Sequence, residues 1–176
     1  MSHSKIEKIL SINNCNYIHL NSTTSTMDDA KKYLEKFHSN VVILANEQKN
    51  GKGRRGNIWI SPPGNIYCSI ALNNTIPINE YYLFSMLTSV SVKFTLENLG
   101  ANEIKFKWPN DIFYKNSKFG GMILETYNSK KNNKYVIIGI GINFTSSPSI
   151  EDYQTTYIIF IFDFICIIFI IPISSY

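Results

Sequence analysis

The chain has 176 residues, with 17 Lys plus Arg against 13 Asp plus Glu for a formal net charge of +4, a length suited to one domain that buries roughly 70% of its unfolded surface. So mild a basic excess attracts phosphates without the charge density of a protein that binds nucleic acid by electrostatics alone. Cys15, Cys68 and Cys166 lack CxxC spacing and argue against a disulfide scaffold, and His3, His19 and His38 form no pattern for a four-ligand metal site, so no protein-bound metal is expected.

Residues 1–15 read as a polar leader whose apolar runs are too interrupted for a secretory signal. "NYIHL" predicts a short strand. "STMDDAKKYLEKF" predicts a helix with Ser25 or Thr26 as N-cap, each followed three residues later by an aspartate, Asp28 or Asp29, as in a capping box. "VVILAN" is a continuous apolar run of strand length, the pattern of a strand covered on both faces. The basic stretch "QKNGKGRRGNIWIS" follows directly, and after the turn Pro62–Pro63–Gly64 "NIYCSIAL" predicts the next strand.

From Asn79, a plausible cap, to Leu99, the residues Leu83, Leu87, Val90 and Phe94 recur at helical spacing and predict a core helix stopped by Gly100. "IKFKW" alternates apolar and cationic residues as a half-buried strand does, which sets Lys105 and Lys107 on one face; Pro109 ends it. "DIFY", "FGGMILETY" and "KYVIIGIGIN" complete a meander. A run of antiparallel strands with segregated helices indicates an α+β domain: a mixed, mainly antiparallel sheet with helices packed on one face.

Beyond residue 145 the pattern changes to a divergent tail in which residues 157–173, "YIIFIFDFICIIFIIPI", are almost entirely Ile and Phe. That length is at the lower edge for a bilayer core of roughly 30 Å, and Asp163 would cost about 3 kcal/mol there, so a membrane anchor is not favoured. A buried or aggregation-prone β segment, or a terminus foreign to the natural protein, are the alternatives.

Four constellations carry chemistry. "GKGRRG" places glycines at 51, 53 and 56 with Lys52, Arg54 and Arg55, which suits close backbone approach to an anion or, equally, a solvated turn. It matches neither the GxxxxGK(S/T) loop nor GxGxxG. "KWPND" aims Lys107 from a strand end held by a rigid proline turn. "KFGGMILE" sets Lys118 beside Gly120 and Gly121. In "GIGIN", Gly139 and Gly141 leave one face of a strand without side chains, a floor for a flat ligand.

Together, "STMDDA", "EQKNGKGRRGNIWISPPGNIYCSIAL", "KWPNDI", "KFGGMILE" and "VIIGIGINF" resemble, in order and over about residues 16–145, the catalytic domain of the biotin protein ligases, or biotin–(acetyl-CoA-carboxylase) ligases. The resemblance implies a class II aminoacyl-tRNA-synthetase-like fold and a two-step reaction. Biotin attacks the α-phosphate of ATP, supplied with Mg2+, to give biotinyl-5′-AMP, and a lysine of a carboxylase's biotin carboxyl carrier domain then takes the biotinyl group. Positive charge and positioning are the main requirements of such a site.

Carried onto this chain, the resemblance implies that Ser25, Thr26, Met27, Gln48 and Gly121 contact biotin. Gly51, Lys52, Gly53 and Arg54 belong to a cover loop over it, and Lys107, with Arg54, serves catalysis at the biotin carboxylate and α-phosphate. Arg55, Trp59, Asn110, Lys118, Gly139, Gly141 and Asn143 fall on the nucleotide side, Lys118 as a secondary phosphate contact. Lys52 and Asn57 stand where the family loop has arginines, and the family's further C-terminal elements do not follow Phe144, which puts the shortened domain's activity in question. The alternatives are a lipoyl or octanoyl transferase of the same fold and a biotin-binding domain without transfer. Nucleic acid is not expected, because fewer than twenty-five residues precede Ser25. A cytoplasmic location is expected, an organelle and a homodimer staying open.

Overall fold

The computed structural model describes residues 3–12, 14–73, 77, 80–149 and 154–157. In chain order the elements are α1 (His3–Ile12), β1 (Cys15–Leu20), α2 (Thr26–Phe37), β2 (Asn40–Ala45), β3 (Gln48–Lys52), β4 (Ile58–Ser61), β5 (Ile66–Asn73), α3 (Tyr82–Asn98), β6 (Ile104–Lys107), β7 (Asp111–Tyr114), β8 (Ser117–Asn128) and β9 (Lys134–Ile142). Asn79, expected as a helix cap, and the Ile/Phe-rich segment beyond Tyr157 lie outside the described residues. Among these residues no helix is long and apolar enough to cross a membrane.

The continuous apolar runs become the central strands. Successive side chains of a strand point to opposite faces, so Val42 joins one buried cluster while Val41 and Ile43 join another. Seven strands form one sheet in the order β1-β2-β5-β9-β8-β7-β6. The β1–β2 pair is parallel and the pairs β2–β5, β5–β9, β9–β8, β8–β7 and β7–β6 are antiparallel, which is the mixed, mainly antiparallel sheet expected. β3 and β4 form a separate two-stranded ribbon.

The helices do not share one face, and this corrects the expectation. Met27, Ala30 and Leu34 of α2 pack with Val41, Ile43, Ala71 and Ile137. Leu10 of α1 and Val92 and Leu96 of α3 pack with the alternate residues Val42, Ile70, Val136 and Ile138. Strands buried on both sides need a layer on each. The leader is also more than polar sequence, since α1 occupies most of it and buries Leu10.

A second correction concerns α3. Leu87, Val90 and Phe94, expected in the core, are 48, 67 and 54% exposed, and Thr88, Ser91, Val92, Thr95 and Leu96 are buried instead. This helix is apolar on more than one side, so periodicity alone cannot choose its inner face; small side chains let it approach the sheet closely. Its stop is as expected: Gly100 sits at φ 90°, its N–H donates to Glu97 O (2.9 Å), and Ala101 N–H donates to Leu96 O (2.9 Å), the Schellman pattern.

At the end of β9 the chain is held by Asn65. Its Oδ1 accepts from the N–H groups of Phe144 (2.8 Å), Thr145 (2.9 Å) and Ser146 (3.2 Å), and its Nδ2 donates to Ser146 O (2.9 Å). Buried backbone donors left without a partner are costly. Asn65→Ala should therefore lower the unfolding free energy by about 2 kcal/mol, read as a shifted urea midpoint at unchanged slope.

Candidate active site

The site begins at the start of α2. Ser25 is its N-cap residue, with extended backbone (φ −160°, ψ 127°), yet its side chain makes no capping bond. The capping box read from Asp28 and Asp29 is not formed: Asp29 binds the Thr23 hydroxyl and Lys32, and Asp28 binds Lys52. Ser25 Oγ is buried with no partner, and Ser25 lines a cavity of about 340 Å³. That volume is at the lower end of ordinary ligand pockets, which run from roughly 300 to 1,000 Å³.

Next to it is a closed polar chain. Gln48 Oε1 accepts from Thr26 N–H (2.9 Å) and Thr26 Oγ1 (3.0 Å), and Gln48 Nε2 donates to Ser61 Oγ (3.0 Å). Ser69 Oγ donates to Thr26 Oγ1 (2.8 Å), and Ser61 Oγ donates to the Trp59 carbonyl (2.8 Å). This chain fixes the ribbon β3–β4 to the first turn of α2 and to β5.

The glycines form the floor, and the protein's own side chains lie on it. A Cβ at Gly139 would meet Met27 Sδ at 2.9 Å, and one at Gly141 would meet Trp59 Nε1 at 2.5 Å. Gly121 pairs with Gly141 across β8–β9 and also faces the indole. Trp59 Nε1 is buried without a partner. Gly141→Ala should push the indole aside, shifting Trp59 emission to longer wavelength in a Trp108→Phe background and costing about 1–2 kcal/mol of stability as overpacking.

At the Gly121 end the lining is charged. Lys118 Nζ is 2.8 Å from Asp111 Oδ1, with side-chain exposures of 14 and 27%, and lies 5.6 Å from the Trp59 ring centroid. Arg54 Nη1 donates to Asn110 Oδ1 at 3.0 Å. Lys52, Gly53, Arg54, Arg55, Asn110 and Asp111 all line the cavity. Cys68 lines it too, but burial pushes its thiol up to about 12. It is not a thiolate nucleophile at neutral pH.

Of the residues expected from sequence, the structure therefore brings together Ser25, Thr26, Met27, Gln48, Lys52, Gly53, Arg54, Arg55, Trp59, Asn110, Lys118, Gly121, Gly139 and Gly141. Three stand apart. Gly51 is buried within the ribbon, paired with Trp59, where a Cβ would meet the Trp59 carbonyl at 2.5 Å. Lys107 is exposed at the end of β6 and is not in the cavity lining, but it pairs with Asp111, which pairs with Gly121, so its side chain leaves the sheet on the same face as the glycine floor, opposite to Ile104 and Phe106. Asn143 is 2% exposed, and its Nδ2 donates to Thr156 O at 3.2 Å, so it ties residues 154–157 to the sheet and does not line the cavity.

Sequence reasoning missed Ser61, Ser69 and Asp111. A lone serine inside the apolar run "IYCSIAL" was a readable signal for Ser69; Asp111 was visible within "KWPND" but not assigned a role.

A glycine-floored cavity lies on one face of a mixed sheet, under a basic ribbon, and the likeness to solved biotin protein ligases makes the fold one of the class II aminoacyl-tRNA-synthetase-like kind. The chain belongs to the Biotin/lipoate A/B protein ligase family, whose model matches residues 17–143. It is 32% identical over 110 residues to the bifunctional ligase/repressor BirA of Bacillus subtilis, covering 62% of this chain and 34% of that protein. To the biotin–(acetyl-CoA-carboxylase) ligase of Paracoccus denitrificans it is 31% identical over 131 residues, covering 72% and 53%. The biotin protein ligase of Leishmania major, solved with biotinyl-5-AMP, superposes with a TM-score of 0.68 at 28% identity, covering 82% of this chain and 62% of that one. The chain thus spans about a third to a half of these curated relatives.

Proposed function

We propose that this domain joins biotin to ATP, forming biotinyl-5′-AMP and pyrophosphate, and passes the biotinyl group to a lysine of a biotin carboxyl carrier domain. The observation that carries this reading is the cavity's two-sided lining. Ser25, with an unpartnered hydroxyl, and the Thr26–Gln48 pair stand near Gly139, while Lys118, Arg54 and Arg55 line the side near Gly121. A neutral hydrogen-bonding head and an anionic tail fit those two ends. The Leishmania relative, solved with biotinyl-5-AMP, supports the same ligand.

In the first step a biotin carboxylate oxygen attacks the α-phosphorus and the bond to pyrophosphate breaks. Two anions must meet, so the cations that line the cavity offset their repulsion and the charge developing on the phosphoryl oxygens. We assign a main share to Lys118, with Lys107 adding charge from the cavity's edge, where it stands beside Asp111 on the same face of the sheet. Asp111 fixes the Lys118 ammonium beside the floor, and little of its charge is lost to solvent. Mg2+ would enter with ATP as the substrate complex, Asp111 being the carboxylate in the lining. In the second step the amine of the carrier lysine attacks the biotinyl carbonyl and AMP leaves.

The test is incubation of the full chain with MgATP, biotin and an unmodified carrier domain, scored by the mass of the carrier. A gain of one biotinyl group is expected. Labelling by lipoate under the same conditions, with none by biotin, would reassign the substrate.

A further inference from the structure

The ribbon β3–β4 stands outside the seven-stranded sheet, so no ladder of that sheet fixes its tip over the cavity. Its base is held by backbone: Lys49 N–H donates to Thr23 O (2.8 Å) and Asn50 N–H to Thr24 O (2.9 Å). The tip, Lys52 to Asn57, closes on itself through Gly53 N–H to Asn57 O (2.8 Å) and Asn57 N–H to Arg54 O (3.1 Å). Two side chains tie it across the cavity mouth. Arg54 reaches Asn110 at the β6–β7 turn, and Lys52 pairs with Asp28 on the opposite bank, in the first turn of α2.

Asp28 occupies the position where a capping carboxylate would fold back onto the helix start, and α2 has no side-chain cap at its N-cap residue. Its carboxylate turns to the loop instead. Asp29 is bound to Thr23 and Lys32, and so is committed elsewhere. We propose that Asp28 is a positioning residue: through Lys52 it latches the basic loop over the bound ligand and so slows release of the activated intermediate. The proposal rests on the function given above for what is retained, and on the loop geometry alone for the latch.

Both partners are about a third exposed, 35% for Lys52 and 38% for Asp28, so the pair is weak and salt-sensitive. That suits a cover that opens once per turnover. A tight buried pair would trap the ligand. The chemistry asks for charge complementarity and little else, so exchanging the two charges should preserve the latch.

The experiment has two arms. In the ligand-free chain, trypsin cleavage after Arg54 or Arg55 is timed. Asp28→Asn and Lys52→Gln should each speed it about three- to fivefold with the urea midpoint unchanged, and the exchange Asp28→Lys with Lys52→Asp should restore the original rate. In the second arm, dissociation of biotin, or of the adenylate once formed, should speed by a similar factor in Asp28→Asn, a change that removes no cation from the cavity lining. Unchanged cleavage in both single variants, or an exchange no better than they are, would overturn the latch. A chain that fails to bind biotin yet shows the cleavage pattern would keep the latch and remove the ligand reading.

Discussion

Lys118→Ala should lower the rate of biotinyl-AMP formation by about 100- to 1,000-fold, the usual cost of deleting a preorganised charge at a developing anion, while Lys107→Ala, at the cavity's edge, should lower it by a smaller factor. The contrast follows from where the two ammonium groups stand. Lys118 lines the cavity, is 14% exposed, and is held by Asp111 beside the Trp59 ring. Lys107 is exposed at the end of β6, beside Asp111 on the cavity's face of the sheet but outside the lining. Interactions realised mainly in the transition state lower the rate constant more than they weaken binding. Biotin affinity of Lys118→Ala, measured by calorimetry, should accordingly fall far less than the rate. Lys118→Arg keeps charge but not the compact point geometry, and should recover part of the activity.

Gln48→Ala should cost about 3 kcal/mol of stability and weaken biotin binding about 100-fold. One side chain joins three elements: it accepts from Thr26 N–H and Thr26 Oγ1 and donates to Ser61 Oγ. Its removal strands a backbone donor at the start of α2 and breaks the chain from Ser69 to the Trp59 carbonyl. A buried polar chain with one member missing is worse than none. Gln48→Glu keeps both acceptor roles and loses the donor to Ser61. It should retain more than half of the lost stability, measured by urea denaturation alongside calorimetry with biotin.

Much of the fold was legible because the central strands announce themselves. The run Val41–Ala45 is apolar at every position, so burial on both faces followed, and Ile66–Leu72 is strongly β-prone. Strands buried on both faces imply a helical layer on each side, and α2 covers one face while α1 and α3 cover the other. The ribbon β3–β4 was illegible for a physical reason. "QKNGK" has neither β-branched nor aromatic residues, and its strand form comes from pairing with "IWIS" and from backbone bonds to Thr23 and Thr24.

The site was legible as motifs and less so as geometry. The glycine floor was read from Gly139 and Gly141, and both line the cavity. That Trp59 and Met27 would lie on it could not be read, because long-range packing decides it. The weights of Lys107 and Lys118 were not legible: "IKFKW" sets Lys107 on one face without saying that its register with Asp111 makes this the cavity's face, and Lys118 stands beside a bulge between Ile112 and Phe113 in the β7–β8 pairing, which local sequence does not reveal.

The most direct test of the account is native mass spectrometry of the full chain after incubation with MgATP and biotin. The account predicts a protein-bound mass equal to biotinyl-5′-AMP, formed with release of pyrophosphate and lost in Lys118→Ala. A chain that carries biotin alone under the same conditions, with no adenylate and no pyrophosphate, would contradict it.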